Sequence, residues 1–166
     1  MRKKVLTLVL VAICSSLFAQ DFEVPKNLKL DKPDDYALYE KDVINCINWL
    51  MSTPIKEQAD KRKEANAFFL MWLTGSPSVQ VDIKAEIITF MKSSPDLLFI
   101  FMGGWTKYSI ESKDSKDKVA GNLAGIEAVI EFYTKNKADM KKDKNVEKYI
   151  KMKEDGTLKE FIEKNA

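Results

Sequence analysis

Histidine is absent from this chain. That removes the side chain most used for proton transfer near neutral pH, and with it Ser-His-Asp triads and imidazole metal ligation. Cysteine is nearly absent as well, with Cys14 and Cys46 the only two. Cys14 lies in an N-terminal leader, so the remaining chain carries one thiol and no intrachain disulfide. A single thiol in an exported chain reads as a small buried hydrophobe rather than a nucleophile. Cys14 raises the question of lipidation, but Ile13 stands before it, where lipoprotein processing takes a small residue. Long apolar runs are also lacking. Beyond the leader the longest, Leu97 to Gly104, falls far short of the roughly 20 residues of a membrane helix.

The chain has no excess of one charge. Its 27 basic and 25 acidic residues give +2, and removing Arg2, Lys3 and Lys4 with the leader leaves 24 against 25, or −1. A balance near zero gives no net electrostatic case for nucleic acid. At 31 % charged residues of both signs, the composition suits a soluble surface.

What is present begins with that leader. Arg2-Lys3-Lys4 is a basic start, Val5 to Ile13 a short apolar run, and Leu17-Phe18-Ala19 leads to a cut before Gln20. This order predicts a secretory signal peptide over residues 1–19 and a periplasmic or secreted product. Roughly 147 residues then remain, enough for one domain with its own core.

Periodicity predicts an all-α domain over 33–166 after an extended lead-in at 20–32. Pro33, with Asp34 and Asp35 behind it, opens a helix whose stripe is Tyr36, Tyr39, Val43, Ile47 and Leu50. Three joints then share one signature: an aromatic and apolar ending, a Ser or Thr to cap, and a proline, at Pro54, Pro77 and Pro95. A helix is expected from Pro54 to Leu73, and another, capped by Asp82, carrying Ile83, Ile87, Phe90 and Met91. Pro95 opens a helix with Leu98, Phe101, Trp105 and Tyr108 in register, and the next runs from about Lys118 to Asn136. Gly103-Gly104 in the first and Gly121, Ala124, Gly125 and Ala128 in the second suggest a hairpin of closely approaching backbones. Val146, Tyr149 and Ile150 mark a short helix stopped at Asp155-Gly156, and Thr157 with Glu160 has the spacing of a capping box for a last one. The total is about five or six helices, packed as antiparallel helical hairpins in a single domain.

Signatures of chemistry are missing. The chain has no phosphate-binding loop, dinucleotide fingerprint, Cys-x-x-Cys, His-Glu-x-x-His or calcium loop. Catalytic, cofactor-binding and metal-binding residues are therefore all expected to be none. Glu127 and Glu131, one turn apart, could serve as paired carboxylates, but any charged helix offers such pairs and a solvent-facing edge explains them. Most aromatics lie on apolar faces and read as core. Trp105 is the exception, with a polar handle in Lys107 and Tyr108 beside it. Gly103, Gly104, Trp105, Lys107 and Tyr108 are accordingly the candidate interaction surface. The lysine-rich end from Lys135 to Lys153 could meet anionic headgroups, polysaccharide or an acidic protein, although Glu131, Asp139, Asp143, Glu147 and Glu154 interleave it.

The stretches Phe101-Met102-Gly103-Gly104-Trp105-Thr106-Lys107-Tyr108 and Lys118 to Tyr133 resemble a group of uncharacterised exported proteins of Bacteroidetes-type bacteria, as does the Phe18-Ala19-Gln20 junction. The resemblance implies a Gram-negative cell and a periplasmic or secreted product, and it carries no activity or functional residues with it. The expected function is a non-catalytic binding or interaction protein of the cell envelope, with an unknown envelope protein or small ligand as partner and neither nucleic acid nor a transmembrane segment involved. A small-ligand carrier or a carboxylate-based hydrolase is one alternative, and an immunity or chaperone-like envelope protein another.

Overall fold

A computed structural model describes residues 22–166. The predicted signal peptide at 1–19 and the first two residues of the lead-in lie outside them. The described residues form seven helices and no strand: α1 (Pro33–Leu38), α2 (Glu40–Ser52), α3 (Ala59–Gly75), α4 (Leu97–Ser112), α5 (Lys118–Lys135), α6 (Lys144–Glu154) and α7 (Leu158–Asn165). The all-α class holds; one predicted helix divides, another over Ile83 to Met91 does not form, and seven helices stand against the expected five or six. No helix among the described residues is long and apolar enough to cross a membrane.

The division falls at Tyr39. Pro33 sits in the first turn of α1, and Asp35 Oδ2 accepts the amides of Asp31 and Lys32 at 3.0 and 2.9 Å. In an unbroken helix the carbonyl of Tyr36 would serve the amide of Glu40. It accepts the indole N–H of Trp72 at 2.9 Å and the backbone amide of Tyr39 at 3.1 Å instead, and Tyr39 takes φ −104° and ψ 2°. Val43, Cys46, Ile47, Trp49 and Leu50 of α2 are buried, whereas Tyr36 and Tyr39 are only partly so.

Two other expected helices are altered by tertiary hydrogen bonds. The one expected at Pro54 starts at Ala59, because the Arg62 guanidinium takes the carbonyls of Leu50, Thr53 and Pro54 at 3.1, 2.6 and 3.3 Å. Gln58 precedes α3 in the left-handed region, at φ 49°. The hydroxyls at the joints do not cap as expected: Thr53 Oγ1 has no partner, while Ser93 and Ser94 donate to Asp143. The helix expected over Ile83 to Met91 is a series of turns. Tyr149 Oη donates to the carbonyl of Ile87 (2.6 Å), which a helix would need for the Met91 amide, and Asn145 holds the carbonyl of Thr89 (2.9 Å). Asp82 pairs with Lys118 at 2.8 Å rather than capping. At α7 the Thr157 hydroxyl donates to the carbonyl of Met152, and no side-chain cap forms.

The core is aromatic. Trp72, Trp105, Phe69, Phe90, Phe101, Phe132, Tyr133 and Tyr149 are all fully enclosed. Phe101 meets Trp105 edge to face, with ring centres 5.9 Å apart at 78°. Helices α4 and α5 touch through small residues: a Cβ on Gly104 would lie 2.6 Å from the carbonyl oxygen of Ala124 and from the Cβ of Ala128, and one on Gly125 would lie 2.9 Å from the carbonyl oxygen of Phe101. The lead-in is fastened to this core by Phe22, which packs on Trp49 and Phe68.

Candidate functional site

Beside the contact between α4 and α5 the surface opens into a groove of about 510 Å³. Each of the two helices contributes residues at spacings of three and four, which is one face of a helix. From α4 come Gly104, Lys107, Tyr108 and Glu111, and from α5 Ala124, Glu127, Ala128 and Glu131, with Ile130 alongside. Met51, near the end of α2, and Lys153, near the end of α6, close the groove. Gly104, Ala124 and Ala128 make the floor, because only small side chains fit where the backbones meet.

The rim is charged, and its charges are paired. Lys107 Nζ donates to Asn48 Oδ1 at 2.8 Å and lies 3.9 Å from Glu111. Lys153 holds Glu127 at 2.9 Å, and Lys135 holds Glu131 at 2.6 Å. The carboxylate side chains are 54 %, 44 % and 58 % exposed for Glu111, Glu127 and Glu131. A general acid works by keeping its proton at neutral pH, which requires burial or an unshared like charge. No group of three or more acidic or Cys residues among those described could hold a metal ion.

The five residues expected to form a surface separate into two sets. Gly103 and Trp105 are interior: a Cβ on Gly103 would stand 3.2 Å from Ile47, and Trp105, 1 % exposed, packs against Gly121 and Phe101. Trp105 therefore serves the core and lends no surface of its own, because its flanking glycines bring α5 and α2 onto it. Gly104, Lys107 and Tyr108 line the groove, and the last two are partly exposed. Nothing in the sequence places Met51 or Lys153 beside Tyr108, since only the tertiary fold carries them there; Lys153 reads only as part of the lysine-rich end. Their own helices give them no distinguishing pattern.

Cys46 is enclosed, its thiol contacts the carbonyl of Ala65 at 3.4 Å, and burial pushes its pKa up to about 12. A thiol that stays protonated is no nucleophile, so the buried-hydrophobe expectation holds.

Asp143 is the most enclosed carboxylate among the described residues, at 2 % exposure. Burial alone would raise its pKa, but hydrogen bonds from Ser93, Ser94 and the amides of Asn145 and Val146 outweigh that and hold it below the ordinary value. It caps α6 through the amides of Asn145 and Val146, and this work is structural.

No protein-family model, curated protein or solved structure matches this chain.

Proposed function

We propose that this protein is an exported, non-catalytic binding module of the cell envelope, and that it grips its partner in the α4–α5 groove. Export is supported by the basic, apolar and small-residue order from Arg2 to Ala19. The observation that carries the binding role is the groove itself: a small-residue floor at Gly104, Ala124 and Ala128 under a rim of paired lysines and glutamates. Such a surface suits a polypeptide segment with a small apolar side chain between charges of both signs. Tyr108 offers an aromatic wall with a polar tip, the residue type that interfaces favour.

The proposed architecture is an antiparallel hairpin of α4 and α5. Its register supports this: Phe101 faces Gly125, while Trp105, one turn later, faces Gly121, one turn earlier. That register sets Tyr108 and Glu111 opposite the N-terminal part of α5.

A second function keeps one observation in its favour. Glu111, Glu127 and Glu131 all line the groove, as a carboxylate-based hydrolase would require. The lysine beside each of them, and the groove's openness to water, favour recognition over bond cleavage.

The test is a heteronuclear NMR titration of the purified protein with fractionated envelope extract. Amides of Tyr108, Glu111, Ala124 and Ala128 are expected to shift together, and Tyr108→Ala to abolish the shifts without unfolding the protein. Perturbations confined to α7 or to the 76–96 segment would remove the groove from consideration.

A further inference from the structure

Away from the groove, the fold assembles a basic patch that the sequence scatters. Lys92 belongs to the turns before α4, and Lys141, Lys142 and Lys144 surround the start of α6. Hydrogen bonds lock the two segments side by side. Ser93 and Ser94 both donate to Asp143 Oδ2, the latter at 2.8 Å, and Asn145 Nδ2 donates to the carbonyl of Thr89 at 2.9 Å.

Asp143 is the one acidic residue within the run 141–144, and it faces inward. Its Oδ1 accepts the amides of Asn145 and Val146 at 2.9 and 3.4 Å, and the residue is 2 % exposed. The four lysines are all exposed, and none makes an ion pair among the described residues. Glu147, three residues into α6, binds Lys137 at 2.9 Å and feels Lys142 only at longer range. Lysines at a helix N-terminus also work against the helix dipole, so helix stability does not explain their placement. Beside them Met91, next to Lys92, stands 46 % exposed, one of the few large apolar side chains in water.

We propose that Met91, Lys92, Lys141, Lys142 and Lys144 seat the protein on an anionic lipid surface. The lysines meet headgroup phosphates, and the flexible Met91 thioether enters the boundary between headgroups and acyl chains. A dissolved polyanion would use the lysines but has no apolar layer for Met91, which is why a bilayer fits better. The patch is distinct from the groove, since Lys144 and Lys153 are separated by nine residues of α6, roughly 13 Å along its axis.

Each lysine near an anionic surface is expected to strengthen partitioning roughly fivefold. Co-sedimentation of the purified protein at low salt should give binding to phosphatidylcholine vesicles containing phosphatidylglycerol, and little to phosphatidylcholine alone. The triple variant Lys141→Gln, Lys142→Gln, Lys144→Gln should bind about 100-fold more weakly with its circular dichroism unchanged. Met91→Ser should weaken vesicle binding severalfold and leave binding to soluble dextran sulfate untouched, and Tyr108→Ala should change neither. Equal binding to both vesicle types, or undiminished binding by the triple variant, would overturn the proposal. So would a Met91→Ser protein that sediments like the parent, with dextran sulfate held as tightly as vesicles; that result would identify a soluble polyanion as the ligand.

Discussion

The indole N–H of Trp72 donates to the backbone carbonyl of Tyr36 at 2.9 Å, and this bond marks where the first helical segment breaks. The rings of the two residues lie 6.4 Å apart, so α3 holds α1 by both packing and hydrogen bonding. Trp72→Phe keeps most of the bulk and deletes the donor. The expected cost is about 1 kcal/mol, because the partly buried carbonyl loses one of its two donors. Hydrogen exchange should then show slower exchange at the Glu40 amide, since the Tyr36 carbonyl keeps only the Tyr39 amide, at 3.1 Å, and can serve Glu40 as well. An unchanged rate there would mean that Tyr39 breaks the helix by itself.

Gly125 is placed where no side chain fits: its Cβ would approach both the Phe101 ring and its carbonyl. Gly125→Leu is expected to destabilise by at least about 3 kcal/mol, beyond ordinary overpacking, because backbone must move. A melting temperature equal to that of the parent would dismiss the close α4–α5 approach.

The Cys46 thiol has its pKa raised from 9.0 to about 12 by burial. In that interval the unfolded chain gives up the proton and the folded chain keeps it. Stability from this group is thus complete below pH 9 and declines as pH rises toward 12. At pH 8 a disulfide reagent should label the native protein far more slowly than the urea-unfolded chain. Equal rates would place the thiol at the surface.

Asp143 titrates in the opposite sense. Its folded pKa lies below the ordinary 3.8, so its contribution is complete above that value and is lost as pH falls through the folded one. Acid unfolding of Asp143→Asn should therefore show a shallower loss of stability below pH 4 than the parent. At neutral pH the variant should be weaker by about 2 kcal/mol, the scale of charge-assisted hydrogen bonds. Parallel acid transitions would assign that pH dependence to other carboxylates.

The sequence disclosed elements whose signals are local. α5 is read correctly to within a residue because its apolar face and its small-residue face both lie inside one segment. The end of α6 is equally plain, since Gly156 takes φ 73° there. Elements set by distant partners were not legible. Ile83 to Met91 has a helical apolar pattern, yet Tyr149 and Asn145 of α6 draw off its carbonyls. The start of α3 depends on Arg62 reaching back to three carbonyls, and nothing at Pro54 announces that. Which of the five candidate residues reach the groove was legible only in part, for the same reason. Lys107 and Tyr108 follow from helical phase, but placing Trp105 inside needs the glycines of α5 opposite it. Lys153 could not have been added without knowing that α6 returns to α5.

The burial of Phe22 bears on the order of events at the membrane. It is 5 % exposed and wedged between Trp49 and Phe68. With the proposed cut after Ala19, only Gln20 and Asp21 separate the scissile bond from this wedge, a tether of about 7 Å at full stretch. A peptidase could hardly draw that bond into its cleft once the wedge is home. If the chain is cut where the proposed export signal ends, trimming would therefore have to precede the seating of Phe22 between its two aromatic neighbours.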